Sequence, residues 1–183
     1  MSFEGQLIHS LQAALNSRPG IWFAVICARW AIFLEGAWVV ILGIRAGRRT
    51  ALQHAAKEAI IAMLIALYSA LTLSSMIGRA RPFMIESGVL RWIPSPLSLH
   101  AFPSAHASAA FALAFAILWT KRRAAIGPLI LASLVAFGRV ATGVHYLTDV
   151  LGGALVGFLA VIIVRLLHAA IRRSSVYREH QHG

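Results

Sequence analysis

Long apolar runs dominate this sequence and leave few folds open to it. Five of them approach or exceed the ~18 residues that suggest a membrane span. They cover residues 21–44, 59–77, 103–119, 124–143 and 148–167. With 59% hydrophobic and 13% charged residues, the composition is far from that of a soluble domain. We therefore predict an all-α, polytopic membrane helical bundle with about five transmembrane helices, formed by a single domain over residues 1–183.

The first residues predict a different kind of helix. Apolar side chains recur at near-helical spacing between Phe3 and Leu15, which indicates a short amphipathic helix on the membrane surface. The segment 16–20 ends it with Pro and Gly. Because no basic start precedes an apolar run here, we expect no cleaved signal peptide. The single cysteine, Cys27, excludes a disulfide within the chain.

Basic residues predict the orientation of the bundle. The net charge of +11 is spread over the short segments between apolar runs, so it favours membrane topology over nucleic-acid binding. One side receives Arg45, Arg48, Arg49, Lys57, Lys121, Arg122, Arg123, Arg165, Arg172, Arg173 and Arg178; the other receives Arg18, Arg79, Arg81, Arg91 and Arg139. The richer side should be cytoplasmic. The C-terminus is then inside, and the N-terminus and His145 are outside.

Two charged residues, Arg29 and Glu35, interrupt the first apolar run. Charged side chains at such depth are costly and usually face the protein interior. The ordinary interpretation of Glu35 is a side chain hydrogen-bonded to another helix. A polar contact near a functional site is the alternative.

The segment 138–153, GRVATGVHYLTDVLGG, concentrates polar chemistry. Asp149 is the only Asp of the chain, and His145 precedes it by four residues, which places both side chains on one helix face. Asp149 can therefore hold the imidazole in one tautomer. Arg139 adds a planar fork that suits phosphate or carboxylate oxygens. A histidine capping one helix and an arginine ending another would produce the same pattern without catalysis.

Two further segments carry similar groups. In AFPSAHAS (101–108), Pro103 suits the first position of a helix, so the N–H groups of Ser104 and Ala105 and the Ser104 hydroxyl form an anion site. His106 lies one turn further on. In GRARPF (78–83), Arg81 precedes a proline and Arg79 lies two residues before Arg81. The alternative to a role in a site is that both arginines extend their charged groups to the membrane interface.

All three segments fall at outer ends of predicted spans. Arginines, a helix N-terminus, two histidines and one carboxylate suit phosphoryl transfer, with one histidine attacking and one protonating the leaving oxygen. The sequence has no aspartate cluster and no Cys/His set for a metal. We therefore expect no metal and no cofactor, with charge stabilised by arginines and backbone N–H groups.

These segments resemble the signature of the type 2 phosphatidic acid phosphatase superfamily, which includes vanadium haloperoxidases. The family pattern is Lys, six residues, Arg-Pro; then Pro-Ser-x-His; then Ser-Arg, five residues, His, three residues, Asp. Residues 81–82, 103–106 and Arg139, His145 and Asp149 match it, within a core of about 63–159. The resemblance implies that His145 is a nucleophile forming a phosphohistidine, that Asp149 orients it and that His106 is the general acid. It also implies that Arg81, Ser104, the Ala105 N–H and Arg139 hold the phosphate.

The sequence departs from that pattern at two important positions. The family lysine falls at Ser74, and the serine before the third-motif arginine is Gly138. Arg79 is the candidate to supply the missing phosphate contact at Ser74. The usual Gly of the second motif is Ala105, a smaller change.

The resemblance implies an integral membrane lipid phosphatase, metal-independent, with its active site on the outer face of the inner (plasma) membrane. The chain most resembles bacterial undecaprenyl pyrophosphate phosphatases, so the expected substrate is undecaprenyl pyrophosphate. Alternatives are a phosphatidylglycerophosphate or phosphatidic acid phosphatase, a lipid phosphotransferase, and a non-enzymatic lipid-binding or transport protein with this fold. The expected partners are a lipid phosphate and membrane lipids, without nucleic acid; the sequence carries no signal for oligomeric state.

Overall fold

The computed structural model describes residues 1–48, 50–94 and 100–179, with residues 173–179 described by their backbone alone. Arg49, one of the basic residues from which the orientation of the bundle was predicted, lies outside the described residues. The described chain is helical, which confirms the all-α prediction. Its helices are α1 (Phe3–Ala14), α2 (Arg18–Arg29), α3 (Ala31–Arg45), α4 (Ala51–Ile77), α5 (Pro82–Ile85), α6 (Ala105–Thr120), α7 (Ile126–Ala141) and α8 (Leu147–Glu179), with a 3₁₀ turn over Arg122–Ala125 before α7.

Local sequence signals explain where several helices begin and end. The hydroxyls of Ser2, Ser17 and Thr50 cap α1, α2 and α4 by accepting a hydrogen bond from the backbone N–H three residues on. Gly78 ends α4 with a left-handed φ of 69°, a conformation that glycine adopts at little cost. A helix is present where one was predicted between Phe3 and Leu15, as α1; its location on the membrane surface stays a prediction.

The predicted apolar segments are all helical, but they are not all simple spans. Among the described residues, α4, the segment Arg122–Ala141 and α8 are each long and apolar enough to cross a membrane. The first predicted span is instead the pair α2 and α3, which meets the same test only when taken together and bends by 49° at their junction. The apolar helix α6 is shorter, with 16 residues.

Two helices extend beyond the predicted spans. Helix α4 begins at Ala51, ahead of the span predicted from about residue 59, and α8 continues past the span predicted to end near residue 167, to Glu179. An ion-pair cluster joins these two helices at this end of the bundle. Glu58 of α4 lies 3.3 Å from Arg165 Nη2 and 3.0 Å from His168 Nδ1 of α8, so polar residues of the two helices pair with each other while both remain helical.

Helix α6 lies at the centre of the bundle, where it packs against α4, α7 and α8. Small residues permit the close approach, as expected for membrane helices. A Cβ atom at Gly153 would lie 2.7 Å from the Ser104 carbonyl oxygen, and one at Gly157 would lie 2.6 Å from that of Ser108. Gly153 and Gly157 therefore form a small-residue packing face on α8. It brings the N-termini of α6 and α8 together, and the Ser104 N–H donates to the Asp149 carbonyl at 3.0 Å.

The ordinary interpretation of Glu35 was wrong. The side chain is fully buried in α3, as predicted for a charged residue in a span, but neither of its carboxylate oxygens has a hydrogen-bond partner among the described residues. A hydrogen bond to another helix therefore does not explain why Glu35 lies inside the bundle.

Candidate active site

The three polar segments meet at one end of the bundle. They belong to the C-terminal ends of α4 and α7 and the N-terminal ends of α6 and α8, and they surround a cavity of about 490 Å³. The predicted site residues that line the cavity are Arg81, Ala105, His106, Arg139 and His145. The cavity is thus walled by residues from all three motifs, which lie up to 64 positions apart in the chain.

Hydrogen bonds fix the tautomer of His145. The residue is 2% exposed, and its Nδ1 lies 2.8 Å from the Ala101 carbonyl oxygen. Because a carbonyl can only accept, Nδ1 carries the proton and Nε2 carries the lone pair. Nε2 lies 3.1 Å from Nη1 of Arg81, which donates to it. Burial first, and then Arg139 and Arg81, lower the pKa of His145 well below its usual value, which favours the neutral imidazole.

Asp149 is near His145 but is not its main hydrogen-bond partner. The Asp149 carboxylate is fully buried, and its Oδ2 lies 3.6 Å from His145 Nδ1, beyond a good hydrogen bond. The same oxygen accepts the Tyr146 N–H at 2.8 Å. The Ala101 carbonyl therefore orients the ring directly, and Asp149 contributes a nearby negative charge. Sequence spacing placed the i, i+4 pair on one face but could not reveal a carbonyl 44 residues away.

The position of that carbonyl depends on the segment after α4. Ala80 and His100 form an isolated antiparallel bridge, and the Ala101 N–H donates to the Arg79 carbonyl at 2.7 Å. Arg81 Nη1 also donates to the Val144 carbonyl at 2.8 Å. Burial lowers the pKa of the Arg81 guanidinium to about 10, with Asp149 acting in the opposite direction, so Arg81 stays charged at neutral pH.

Within the part of the chain that the structure describes, two polar atoms beside the cavity are buried without a hydrogen-bond partner. They are the Ser104 hydroxyl oxygen and the Arg139 Nε, in side chains that are almost completely buried. An unpartnered buried donor costs free energy, and such groups call for an explanation. Helix α6 begins at Ala105 with Ser104 as its N-cap, so Pro103 is not its first residue as predicted, and the Ser104 N–H donates to the Asp149 carbonyl and not to the cavity. The first turn of α6, from Ala105, offers N–H groups at the adjacent helix N-terminus. Together these donors suit an anion such as a phosphate.

Arg79 is not brought to this cavity. Its guanidinium lies 2.6 Å from Asp149 Oδ1 and 3.0 Å from Glu4 Oε2. It also stacks 4.1 Å from the centre of the Tyr146 ring. Burial raises the pKa of Tyr146 to about 12, so that ring remains a neutral phenol beneath the guanidinium. The expected compensation for Ser74 by Arg79 therefore has no geometric support.

The structure places Arg29 at the cavity instead. Arg29 and Ser74 are both lining residues, and sequence analysis assigned no function to Arg29. The preceding residue, Ala28, packs with Ile93 and Val144 at the site end of the bundle. Gly138 makes this possible, because a Cβ there would lie 2.7 Å from the Cys27 carbonyl carbon and would collide with the backbone nitrogen of Ala28. Gly138, which stands where the family has serine, was the sequence feature that could have indicated the close contact that places Arg29 at the cavity.

Comparison with known proteins defines the class. The fold is that of a helical membrane protein with an apolar bundle and a polar cavity at one end, and the model of the PAP2 superfamily matches residues 55–173. The chain belongs to the PAP2 superfamily, and within it to the lipid phosphatases.

Individual relatives carry several lipid specificities. The chain is 30% identical over 150 residues to decaprenylphosphoryl-5-phosphoribose phosphatase of Mycolicibacterium smegmatis. This alignment covers 82% of this chain and 81% of the relative. It is 27% identical over 176 residues to YbjG of Escherichia coli, an undecaprenyl-diphosphatase by its provisional name. This second alignment covers 88% of this chain and 83% of the relative. The structure of Aquifex aeolicus LpxE superposes with a TM-score of 0.63 at 24% identity, covering 87% of this chain and 91% of LpxE.

Proposed function

We propose that this protein hydrolyses the terminal phosphate of a lipid phosphate or pyrophosphate through a phosphohistidine on Nε2 of His145, with undecaprenyl pyrophosphate as the substrate. The observation that carries the proposal is the fixed tautomer of His145. Its Nδ1 proton is bound by the Ala101 carbonyl at 2.8 Å, so the Nε2 lone pair is on the cavity side with Arg81. The family and its relatives support the lipid phosphate class of substrate.

The geometry suggests how the reaction proceeds. A bound phosphoryl group accepts hydrogen bonds from Arg81 and Arg139, and the contact between Arg81 and Nε2 is exchanged for one with the phosphate. The Nε2 lone pair then forms a bond to phosphorus while the bond to the leaving oxygen breaks, and His106 donates a proton to that oxygen. In the second step His106 takes a proton from water, which attacks the phosphohistidine and releases phosphate. The arginines and the α6 N-terminus stabilise the negative charge in both steps.

The cavity also suits an amphipathic substrate with an anionic headgroup. Apolar side chains from α3 and α4, Phe33, Leu67 and Leu71, line it together with the arginines. In our proposal the lipid chain contacts this apolar part, and Arg29 contacts the phosphate on the side where Ser74 lacks a charge. A second phosphate in a pyrophosphate headgroup would use that additional cation.

Catalysis without a metal is part of the proposal. In the described part of the chain no group of three or more His, Cys, Asp and Glu side chains has the arrangement of a metal site. The cationic groups that the cavity offers are arginines. These can neutralise a phosphoryl group without a divalent ion.

Phosphate release by purified protein in detergent tests the function. The panel should contain undecaprenyl pyrophosphate, undecaprenyl phosphate, phosphatidylglycerophosphate and phosphatidic acid, each with and without a chelator and with and without an acceptor lipid. We expect the highest kcat/KM with the pyrophosphate, no loss in chelator, inhibition by vanadate and water as the only acceptor. Absence of phosphate release from the whole panel would reject the enzymatic function, and product phosphorylated on the acceptor would indicate a phosphotransferase.

Arg29→Ala tests the assignment of the additional cation. We expect KM to rise about tenfold with a smaller change in kcat, since charge-assisted contacts contribute about 1.5–3 kcal/mol each. Arg91→Ala is the matched control, because Arg91 stacks on Phe83 and does not line the cavity. Equal kinetics for the two variants would remove Arg29 from the site.

A further inference from the structure

We propose that Glu4 of the N-terminal helix α1 is a positioning residue that holds Arg79 on Asp149, so that α1 belongs to the apparatus that orients His145. The inference rests on the proposed function, because it assigns a role toward the same histidine. It gives the N-terminal helix a part in catalysis that membrane attachment alone would not.

Glu4 contacts the N-terminus of α8 directly. Its Oε1 accepts the Thr148 N–H at 2.8 Å and the Thr148 hydroxyl at 3.0 Å. Its Oε2 accepts from Arg79 Nη2 at 3.0 Å. A carboxylate at a helix N-terminus satisfies unpaired N–H groups and interacts favourably with the helix dipole. Glu4 therefore links α1 to the first turn of α8, which contains Asp149.

Arg79 lies between the two carboxylates. One nitrogen, Nη1, donates to Asp149 Oδ1 and to the Thr148 hydroxyl, each at 2.6 Å, while Nη2 donates to Glu4. The Asp149 side chain is 0% exposed, and that of Arg79 is 32% exposed. A fully buried carboxylate needs a partner for its charge, and Arg79 is the cationic partner within 4.0 Å among the described residues. Because Arg79 is partly exposed, it needs a second contact to keep a single conformation, and Glu4 supplies it.

The consequence reaches His145 through the charge of Asp149. Asp149 Oδ2 lies 3.6 Å from His145 Nδ1, and the ring gains positive charge as Nε2 attacks phosphorus. A negative charge held at that distance stabilises this state more than the ground state. If Arg79 leaves, Asp149 must change its protonation or its position, and the stabilisation of the transition state changes with it.

The attachment of α1 does not depend on Glu4 alone. Gln12 donates to the Leu90 and Ala141 carbonyls at 2.6 and 3.1 Å and accepts the Leu90 N–H at 2.9 Å. Ile8 is fully buried against Val89 and Val140. A substitution of Glu4 should therefore leave α1 docked while releasing Arg79, which separates the positioning role from a purely structural one.

A double-mutant cycle tests the proposal. The variants are Glu4→Gln, Arg79→Gln and the pair, with Gln12→Ala as the matched control that weakens α1 docking without contacting Arg79. We expect Glu4→Gln to lower kcat and the rate of phosphoenzyme formation about tenfold, with KM within about twofold of wild type, since Glu4 does not contact substrate. In the Arg79→Gln background the same substitution should have no further effect. The thermal midpoint of Glu4→Gln should drop no further than that of Gln12→Ala.

Three results would overturn the inference: a kcat for Glu4→Gln within twofold of wild type, additive losses in the double variant, or the same loss of kcat in Gln12→Ala. Each presupposes an active wild-type protein. A wild-type protein that releases phosphate from no lipid of the panel would instead reject the proposed function on which the inference depends.

Discussion

At the scale of single residues, the site combines a neutral imidazole, our proposed nucleophile, with fixed cations. The Ala101 carbonyl holds the Nδ1 proton of His145, and Arg81 and Arg139 line the same cavity. A neutral imidazole among arginines is consistent with its burial, since a further positive charge there would be unfavourable. In our proposal, the bound phosphate supplies the negative charge that these arginines need.

The two histidines should respond differently to substitution. His145→Ala should abolish acid-labile labelling of the protein by a radioactive phosphate ester, because no other group forms the intermediate. His106→Ala should keep the label and lose about 10²–10⁴-fold in rate with lipid substrates, as expected for a general acid. Aryl phosphates, whose leaving groups need less protonation, should partly restore its rate. Labelling that persists in His145→Ala but disappears in His106→Ala would reverse the assignment.

The pH dependence of thermal stability should report the protonation of His145. Its pKa in the folded protein is lowered by burial, while the unfolded chain has an ordinary histidine pKa of about 6.5. The unfolded state therefore binds more protons below that pH, and stability present above it is lost as the pH falls. We expect the thermal midpoint of wild type to drop more between about pH 7.5 and 5.5 than that of His145→Gln. Parallel curves would contradict a neutral His145.

At the scale of elements, the close contact between α2 and α7 decides which arginine reaches the cavity. A glycine at residue 138 lets the backbone of Cys27 and Ala28 lie directly on α7. Helix α2 ends immediately afterwards at Arg29, where the chain bends into α3. The departure from the family serine and the presence of Arg29 in the cavity thus have one structural origin.

Gly138→Ala should separate α2 from α7. The added methyl group would meet backbone atoms that cannot move independently, and overpacking of this kind costs about 1–3 kcal/mol. We expect a lower thermal midpoint and a raised KM, because Arg29 is displaced. Gly36→Ala on α3 is the matched control, since nothing lies within 4 Å of its added Cβ. Equal thermal midpoints and KM values for the two variants would show that α2 adjusts freely.

At the scale of the whole molecule, the site lies at one end of the bundle and a basic rim lies at the other. The ion pairs of Glu58 with Arg165 and His168 belong to the rim end, as do Lys121 and the arginines after it. The cavity end carries fewer basic residues, and several of these, Arg81 and Arg139 among them, line the cavity. This distribution supports the proposed placement of the site on the outer face.

Cysteine labelling checks this orientation. Ser87→Cys and Arg122→Cys lie in segments at opposite ends of the bundle, and the native Cys27 is buried, which keeps background reaction low. In intact cells an impermeant thiol reagent should label Ser87→Cys, and Arg122→Cys should react only after permeabilisation. Labelling of Arg122→Cys alone from outside would invert the topology, and labelling of both would contradict a fixed one.

Much of the architecture follows from local patterns in the sequence. Apolar runs of sufficient length predict helices wherever they occur, so the helical state of all five segments and of α1 was predicted without a structure, but the division of the first segment into α2 and α3 was not. The motif residues Arg81, Ser104, His106, Arg139 and His145 were also identified from their spacing, and they gather at one end as predicted. Helix periodicity and hydropathy act over a few turns, and this is the range in which the sequence alone is informative.

Contacts between distant segments were decided only by the tertiary structure. Arg79 and Asp149 are 70 residues apart, Glu4 and Thr148 are 144 apart, and Ala101 and His145 are 44 apart. No local pattern distinguishes an arginine that faces a cavity from one that binds a buried carboxylate, so Arg79 was assigned to the phosphate and Arg29 was left without a role. Packing of α2 on Gly138 and of α1 on the loop ends determined where these cations lie, because the available space and the nearest uncompensated charge set the position of a long side chain.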